Sequence, residues 1–389
     1  MRLKDVCTVF TDGDWIESKD QSEEGIRLVQ TGNIGEGIYL EKEERAKYIS
    51  EDTFERLKCT EIFPGDILVS RLPEPVGRAC IVPDKSERMI TAVDCTICRP
   101  DETIISKEYL CYFMRSNAYY TRLLGNVTGT TRKRISRKNL GNIELNIPTK
   151  DVQRAVVEQL DRLIKIIDSR IKEISLLDDL IKARFVEMFG DPVENSKHWK
   201  EDELGNYLEV IGGYAFKSDG FTDKGIPVLR IGNINSGKFL PVNMVFWPED
   251  SALIRYKVFP GDLVMSLTGT VGKDDYGNVC ILGTDYNEYY LNQRNAKLSI
   301  REMLNKYYFS ELLKFSQIKK RLTGISRGVR QANISNKDIL TLRVPIPPMA
   351  LQERFSAFII QTDKSKVAVQ KALDETQLLF DSLMQKYFG

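Results

Sequence analysis

The sequence is written twice. Residues 25–40 read GIRLVQTGNIGEGIYL, and residues 225–240 read GIPVLRIGNINSGKFL. Shifted by 199 positions, the stretch from Tyr109 to Gly190 aligns with Tyr308 to Gly389 without a gap. Identities include Arg122 with Arg321, Gly125 with Gly324, Gly129 with Gly328, Ile135-Ser136 with Ile334-Ser335, Ile147-Pro148 with Ile346-Pro347, and Gln153 with Gln352. Upstream the offset drifts by a few residues, so that FPGD at 63–66 matches FPGD at 259–262. A period near 200 is that of a domain, far longer than a solenoid repeat. Any fold for this chain must be built twice.

Each copy has two parts. The first alternates short apolar runs with Pro-Gly and Gly-Asp turns: IFPGDILVSR, GRACIVP and TAVDCTICRP, then VFPGDLVMSL, GNVCILG and RNAKLSI. Period-two patterning with this punctuation predicts a strand-rich globule. Each globule also carries one predicted helix, SKEYLCYFMRSNAYYTRLL and EMLNKYYFSELLKFSQIKKRL, which makes the unit α+β. The second part has no Gly or Pro from 151 to 189, and its apolar residues recur three or four apart. Val156, Leu160, Leu163, Ile167, Ile171, Ile174, Leu177, Ile181, Phe185 and Met188 form one face of a helix about 58 Å long at 1.5 Å per residue. Gly190 and Pro192 mark its end. The copy keeps the stripe through Phe355, Ile359, Val369, Leu373, Phe380 and Met384, and is polar around Asp363–Lys366.

A long amphipathic helix must bury its stripe, and the expected partner of each helix is its own duplicate, in a coiled-coil-like pair. An antiparallel pair would place the globules at opposite ends and create a pseudo-twofold axis; a parallel pair would place them side by side. The expected organisation is a globule at 1–148, a helix at 149–190, a linker at 191–198, a second globule at 199–347 and a second helix at 348–389.

Composition excludes several classes. A content of 42% hydrophobic and 29% charged residues is that of a soluble globular protein. MRLKDVCTVF lacks the apolar run of a signal peptide and no stretch approaches 18 apolar residues, so a cytoplasmic location is expected. The seven cysteines, six of them before residue 112, do not resemble a disulfide framework. Cys95 and Cys98 form a single CxxC in a predicted strand, without the second ligand pair that zinc needs; buried, reduced thiols and no metal are expected.

The net charge of +1 conceals two windows. From Tyr109 to Lys138 the chain carries Arg115, Arg122, Arg132, Lys133, Arg134, Arg137 and Lys138, and no acid. From Lys314 to Lys337 it carries Lys314, Lys319, Lys320, Arg321, Arg327, Arg330 and Lys337, again with no acid. Exposed charged faces usually mix signs, so duplicated acid-free windows point to an anionic partner. Duplex DNA fits: Lys and Arg supply phosphate affinity, and Arg, Gln and Asn can read base edges. The candidate contacts are Thr130, Arg132, Lys133 and Arg134 in the first copy, and Arg327, Arg330, Gln331 and Asn333 in the second. The loops after each FPGD strand add Arg71 and Arg78, and Thr268 and Lys273. The plainer alternatives are mobile basic loops and ordinary hairpin turns. GTVGK at 269–273 lacks the spacing of a phosphate-binding loop.

The globule with GNI…G, FPGD and a basic loop, then a hydrophobic strand, a proline and a long helix, resembles the specificity subunit of type I restriction–modification systems over essentially the full length. That family turns into its helix on Pro-Pro-Leu-x-Glu-Gln; the second copy reads PPMALQ, with Leu351 in place of Glu, and the first reads PTKDVQ, keeping Pro148 and Gln153. The resemblance implies two homologous target-recognition domains, one per half-site of a split, asymmetric DNA target, with the paired antiparallel helices setting the spacing. Helix pairing is expected to rest on Leu160, Leu163, Ile167, Ile174, Ile181, Phe185, Phe355, Ile359, Leu373, Phe380 and Met384. The implied partners are double-stranded DNA, two modification subunits that methylate adenine with S-adenosylmethionine, and restriction subunits that use ATP and Mg. No cofactor is expected on this chain.

An enzyme reading has little support. The single histidine, His198, lies in the polar linker NSKHWKEDEL, and one histidine without a placed partner is no acid–base site. Asp66 and Asp262 read as turn acids. The rival from another class is a scaffold built on the paired helices, in which the basic windows would be dispensable.

Overall fold

A computed structural model describes residues 1–72, 74–129, 133–273, 275–324 and 331–389, without the side chain of Gln331. The chain divides into two compact units, Met1–Ile171 with Gln370–Gly389, and Lys172–Val369.

In the first unit the strands are β1 (Cys7–Asp12), β2 (Ile26–Val29), β3 (Tyr48–Ile49), β4 (Glu61–Ile62), β5 (Ile67–Ser70), β6 (Ala79–Ile81), β7 (Met89–Thr91) and β8 (Cys95–Pro100). They form two four-stranded sheets, ordered β1-β8-β5-β6 and β3-β2-β7-β4, and β2 and β7 pair in parallel. The period-two pattern explains the layering. Ile67 and Val69 of β5 face a helical core, whereas Leu68 joins Val29, Cys80, Met89 and Ile97 in a core between the two sheets. All four residues of β5 are therefore buried, the mark of a strand covered on both faces. The helical layer consists of α2 (Lys107–Phe113), α3 (Asn117–Leu124), α4 (Arg137–Gly141) and part of the long α5 (Lys150–Phe189); α1 (Glu51–Leu57) serves the outer face of the second sheet.

The second unit repeats this plan. After β9 (Glu201–Glu203) come β10 (Leu208–Gly212), β11 (Ile226–Leu229), β12 (Val245–Trp247), β13 (Lys257–Val258), β14 (Leu263–Ser266), β15 (Thr268–Thr270), β16 (Val279–Ile281), β17 (Tyr289–Leu291) and β18 (Asn295–Ile300). The sheets are β10-β18-β14-β16 and β12-β11-β17-β13, with β11 and β17 parallel. Strand for strand this is the order of the first unit. Helices α6 (Lys306–Leu312), α7 (Ser316–Thr323), α8 (Asn336–Leu340) and α9 (Met349–Phe388), with β19 (Gln331–Asn333) and β20 (Arg343–Pro345), complete the chain.

The single helix expected before each basic loop is two. In the first unit the Ser116 hydroxyl accepts from Tyr119 N at 3.2 Å and donates to Phe113 O at 2.7 Å, closing α2 and capping α3 in one residue. The second unit breaks at the matching place, between Leu312 and Ser316.

The long helices are continuous over 40 residues each. They do not stand as separate domains: each contributes one stretch to each unit. In the first unit Gln159 accepts from Tyr387 Oη at 2.5 Å, and Arg170 donates to Thr376 Oγ1 and Ala372 O, so the two stretches run antiparallel. Phe380, Met384 and Phe388 pack there with Val156, Leu160, Tyr109 and Phe113. In the second unit Asp178 meets Lys366 at 2.6 Å, whereas Phe185 and Phe189 meet Phe355 with ring centroids 5.5 and 5.3 Å apart, again antiparallel. The polar segment at 363–366 thus lies inside a continuous helix and contributes an ion pair to the seam. Leu160, Ile181, Phe185, Phe355, Ile359, Phe380 and Met384 are buried; Leu163, Ile167, Ile174 and Leu373 are half-buried. Ile171 departs from the predicted stripe and is 53% exposed.

One residue locks both helices to their globules. Buried Gln153 accepts from Ser106 N at 2.9 Å and donates to Pro148 O and Ile104 O; buried Gln352 accepts from Asn305 N at 2.8 Å and donates to Pro347 O and Met303 O. It is the glutamine that both copies of the helix-entry turn retain. At the other end α5 stops at Gly190, whose φ of +77° suits only glycine, with Ser196 Oγ 2.4 Å from where a Cβ would stand.

Candidate nucleic-acid interface

In each unit three loops are laced into one rim by the same backbone bonds. In the first, Arg71 N donates to Asp94 O at 2.9 Å, and Arg71 O accepts from Ile135 N at 3.3 Å. In the second, Leu267 N donates to Arg294 O at 2.8 Å, and Leu267 O accepts from Ile334 N at 2.9 Å. The loop after the FPGD strand therefore lies between the turn before the last sheet strand and the end of the basic loop, twice over. Loops more than sixty residues apart in sequence become neighbours because both leave the same edge of a packed scaffold.

The FPGD turn fixes the base of that rim. The Asp66 carboxylate accepts from Phe63 N at 2.9 Å and receives the Arg99 guanidinium at 2.7 and 2.8 Å. Asp262 does the same with Phe259 N at 2.8 Å and Lys297 at 2.7 Å. These are turn acids that also hold a cation from the neighbouring strand. Beyond the strand, Ser70 and Ser266 each exchange backbone bonds with the start of the next strand, through Gly77 and Arg78, and through Gly277 and Asn278. At Gly77, with φ +87°, a Cβ would fall 2.0 Å from Leu123 Cδ1, so only glycine fits.

One step of the drift in repeat offset now has a physical cause. The segment between Ser70 and Gly77 is short, whereas that between Ser266 and Gly277 is four residues longer, and the extra chain forms β15. It pairs with β19, Thr268 opposite Asn333 and Thr270 opposite Gln331. Predicted contacts from two loops, Thr268 with Gln331 and Asn333, are thereby brought together on one ribbon. The counterpart of Arg78 is Asn278 and not Lys273, which stands exposed in the added segment.

Several predicted contacts are committed elsewhere. Arg71 is 4% exposed; its guanidinium donates to Val93 O at 2.5 Å and pairs with Asp12 at 3.3 Å. It braces the rim from inside rather than presenting charge at a surface, and Leu267 occupies its place in the second unit. Arg78 is half-buried and donates to Ile34 O at 2.6 Å and Thr31 O at 2.9 Å, holding the GNI turn. Lys133 is exposed and meets Glu74 at 2.6 Å, and Arg134 is exposed at the end of a hairpin bridge to Thr128. Thr130, Arg132, Arg327 and Arg330 lie outside the described residues.

Several cations of the two windows are already engaged by the fold. Arg137 lies 3.9 Å from Asp12, Arg122 donates to Glu144 O at 2.7 Å, and Lys319 is buried with its ammonium on Asn278 Oδ1 at 2.6 Å. Part of each window is fold chemistry.

Sequence reasoning passed over a cleft of about 490 Å³ in the second unit. Arg230 and Asn243 line it together with Phe216, Phe221, Gln293 and Arg294, and among the described residues no acidic side chain does. One signal was available: in an otherwise parallel duplication, the turn at 292–294 reads Asn-Gln-Arg where 92–94 reads Ala-Val-Asp.

The CxxC thiols are packed, not presented. Cys95 and Cys98 are both wholly buried, and burial pushes the Cys95 thiol up to about 12 and the Cys98 thiol upward likewise. No cluster of three or more potential metal ligands occurs among the described residues, and none of their helices is long and apolar enough to cross a membrane.

A family model described as the type I restriction modification DNA specificity domain matches the chain twice, at residues 1–176 and 196–376. The MjaVIII specificity subunit of Methanocaldococcus jannaschii, a type I restriction enzyme, is 24% identical over 294 residues, covering 69% of this chain and 68% of that protein. The EcoKI specificity subunit of Escherichia coli K12 is 23% identical over 320 residues, covering 76% and 67%. Among solved structures, a chain from a type I R-M system analysed for complex assembly and conformational transition aligns with a TM-score of 0.60 at 17% identity, over 100% of this chain and 96% of its own. The S subunit of a type I restriction–modification system from M. genitalium aligns at 0.55 and 16%, over 100% and 95%. At these identities the structures show a shared fold.

Proposed function

We propose, from the premise that this chain belongs to the type I restriction modification DNA specificity family, that it reads a split, asymmetric target on double-stranded DNA, one half-site with each unit. The observation that carries this reading is the rim built twice with the same backbone bonds and different side chains. The shared backbone plan fixes how each unit meets the duplex, and divergent side chains let each select its own bases. The long helices, to which both units attach through Gln153 and Gln352, set the interval between the half-sites.

On this reading the chain is the non-catalytic member of a complex. Methylating adenine requires turning the base out of the helix into an enclosed pocket, which belongs to partner subunits. Two modification subunits would bind S-adenosylmethionine, and restriction subunits would use ATP and Mg. Exposed apolar residues on the helices, Leu176, Val367 and Leu378 among them, suit a chain that is further covered by protein.

The test is a methylome. The chain is co-expressed with its cognate methyltransferase, and N6-methyladenine is mapped by single-molecule sequencing against a control without the chain. A single gapped, asymmetric motif present only with the chain is expected. A methyltransferase active with another specificity subunit, yet producing no new motif with this one, would leave the scaffold reading in its place.

A further inference from the structure

The cleft in the second unit goes beyond this reading by naming where the two units part company, and it rests on that reading. Its floor is the GNI turn, where Arg230 is half-buried and donates to Asn243 O. Phe216 and Phe221 form an apolar wall, and Gln293 and Arg294 form the lip. The lip is held on both sides: Gln293 N donates to Tyr214 O at 2.9 Å, Arg294 O accepts from Leu267 N at 2.8 Å, and buried Asn295 donates from Nδ2 to Leu229 O at 2.7 Å. The side chains of Gln293 and Arg294 are themselves exposed, and among the described residues neither has a hydrogen bond or ion pair.

A rigid turn presenting an uncommitted guanidinium and an uncommitted amide beside a cleft that no acid lines among the described residues is pre-organised for an anionic, hydrogen-bonding surface, since little order is lost on contact. The matching turn of the first unit has the same backbone bonds, Ala92 N to Val29 O and Cys95 N to Ala92 O, and carries Val93 and Asp94, with Gln30 in place of Arg230. The charge at one point of the rim is thus reversed between units. An Asp there repels phosphate and can only accept from a base edge, whereas Arg donates in the fork that matches guanine O6 and N7. We propose that Gln293 and Arg294 are specificity-determining residues of the second unit, with Arg294 contacting a guanine edge of its half-site, and Arg230 a positioning residue that holds the cleft open beneath them.

The experiment selects duplexes from a randomised library with the full-length chain in complex with its modification methyltransferase, for the native protein and for Arg294→Ala, Arg294→Asp and Gln293→Ala. Because both side chains are exposed, the melting temperature should stay at the native value and serves as the folding control. The native complex is expected to select a two-part motif. Arg294→Ala should lower selectivity at one base pair of one half by roughly 10- to 100-fold, Arg294→Asp should lower it further or change the base chosen, and the other half should be unaltered. A native motif left intact by all three substitutions overturns the inference while leaving the two-half reading in place. An equal loss on every sequence, with a shallower salt dependence, also overturns it, by making Arg294 a phosphate contact. A native complex that selects no two-part motif overturns the reading beneath it.

Discussion

The two units share a backbone plan and differ in what stabilises it. At the centre of the rim the first has a buried arginine, Arg71, paired with Asp12, whereas the second has Leu267 facing a core of Tyr276, Ala332 and Ile334. The first unit buries five cysteines, Cys59, Cys80, Cys95, Cys98 and Cys111, beside the rings of Tyr109, Phe113, Tyr119 and Phe388; the second buries Cys280 alone and gathers a denser aromatic cluster, with Phe189, Tyr308, Phe315 and Phe355 all against Phe185. One fold has been filled by two chemistries, so a backbone plan does not dictate its core.

The largest contrast should come from the aromatic cluster. Phe185 is wholly buried against four other rings, and the repeat places Met384 at its position in the first unit. Phe185→Ala is expected to destabilise the second unit by about 3–5 kcal/mol, and Met384→Ala the first by about 2–3. Hydrogen exchange resolved by mass spectrometry would locate each loss; equal effects of Phe185→Ala on both units would mean that they unfold as one.

Next in size is alkaline sensitivity. Burial raises Cys80 and Cys95 to about 12 and Cys111 to about 11, against Cys280 alone, at about 12, in the second unit. An unfolded thiol titrates near 8.5, so stability from these groups is intact below that pH and falls as pH rises toward 11–12. With five thiols buried in the first unit and one in the second, the first should lose more stability at pH 9.5. Exchange in β5 and β8 should accelerate before exchange in β14 and β18; the reverse order would contradict the thiol assignment.

The smallest expected effect is Arg71→Leu, which gives the first unit the second unit's residue. Asp12 is partly exposed and keeps Thr96 Oγ1 at 2.9 Å, while Val93 O loses its donor, so the loss should be about 1–3 kcal/mol, with DNA selectivity unchanged. Weakened DNA binding at native thermal stability would restore Arg71 as a contact.

The duplication, the α+β class and the long helices were legible in the sequence because periodicity and repetition are local patterns. The lock at Gln153 and Gln352 was visible only as an identity between copies. What could not be read is whatever depends on partners distant in the chain. Arg71 and Arg78 follow a strand as surface arginines do, and only the packed turn and the GNI carbonyls show otherwise. The first basic window is acid-free along the chain, but Glu74 and Asp12 arrive from other elements. The split of the expected helix was signalled by Ser116, a cap residue inside an apolar run.

The first unit takes its last core residues, Phe380, Met384 and Phe388, from beyond the entire sequence of the second. During synthesis at about 5–20 residues per second, Tyr109 and Phe113 wait many seconds for the ring of Phe388, which packs 5.0 Å from Tyr109. The part of the chain that is made first is therefore finished last, and until then it shows the ribosome's surroundings a bare apolar flank.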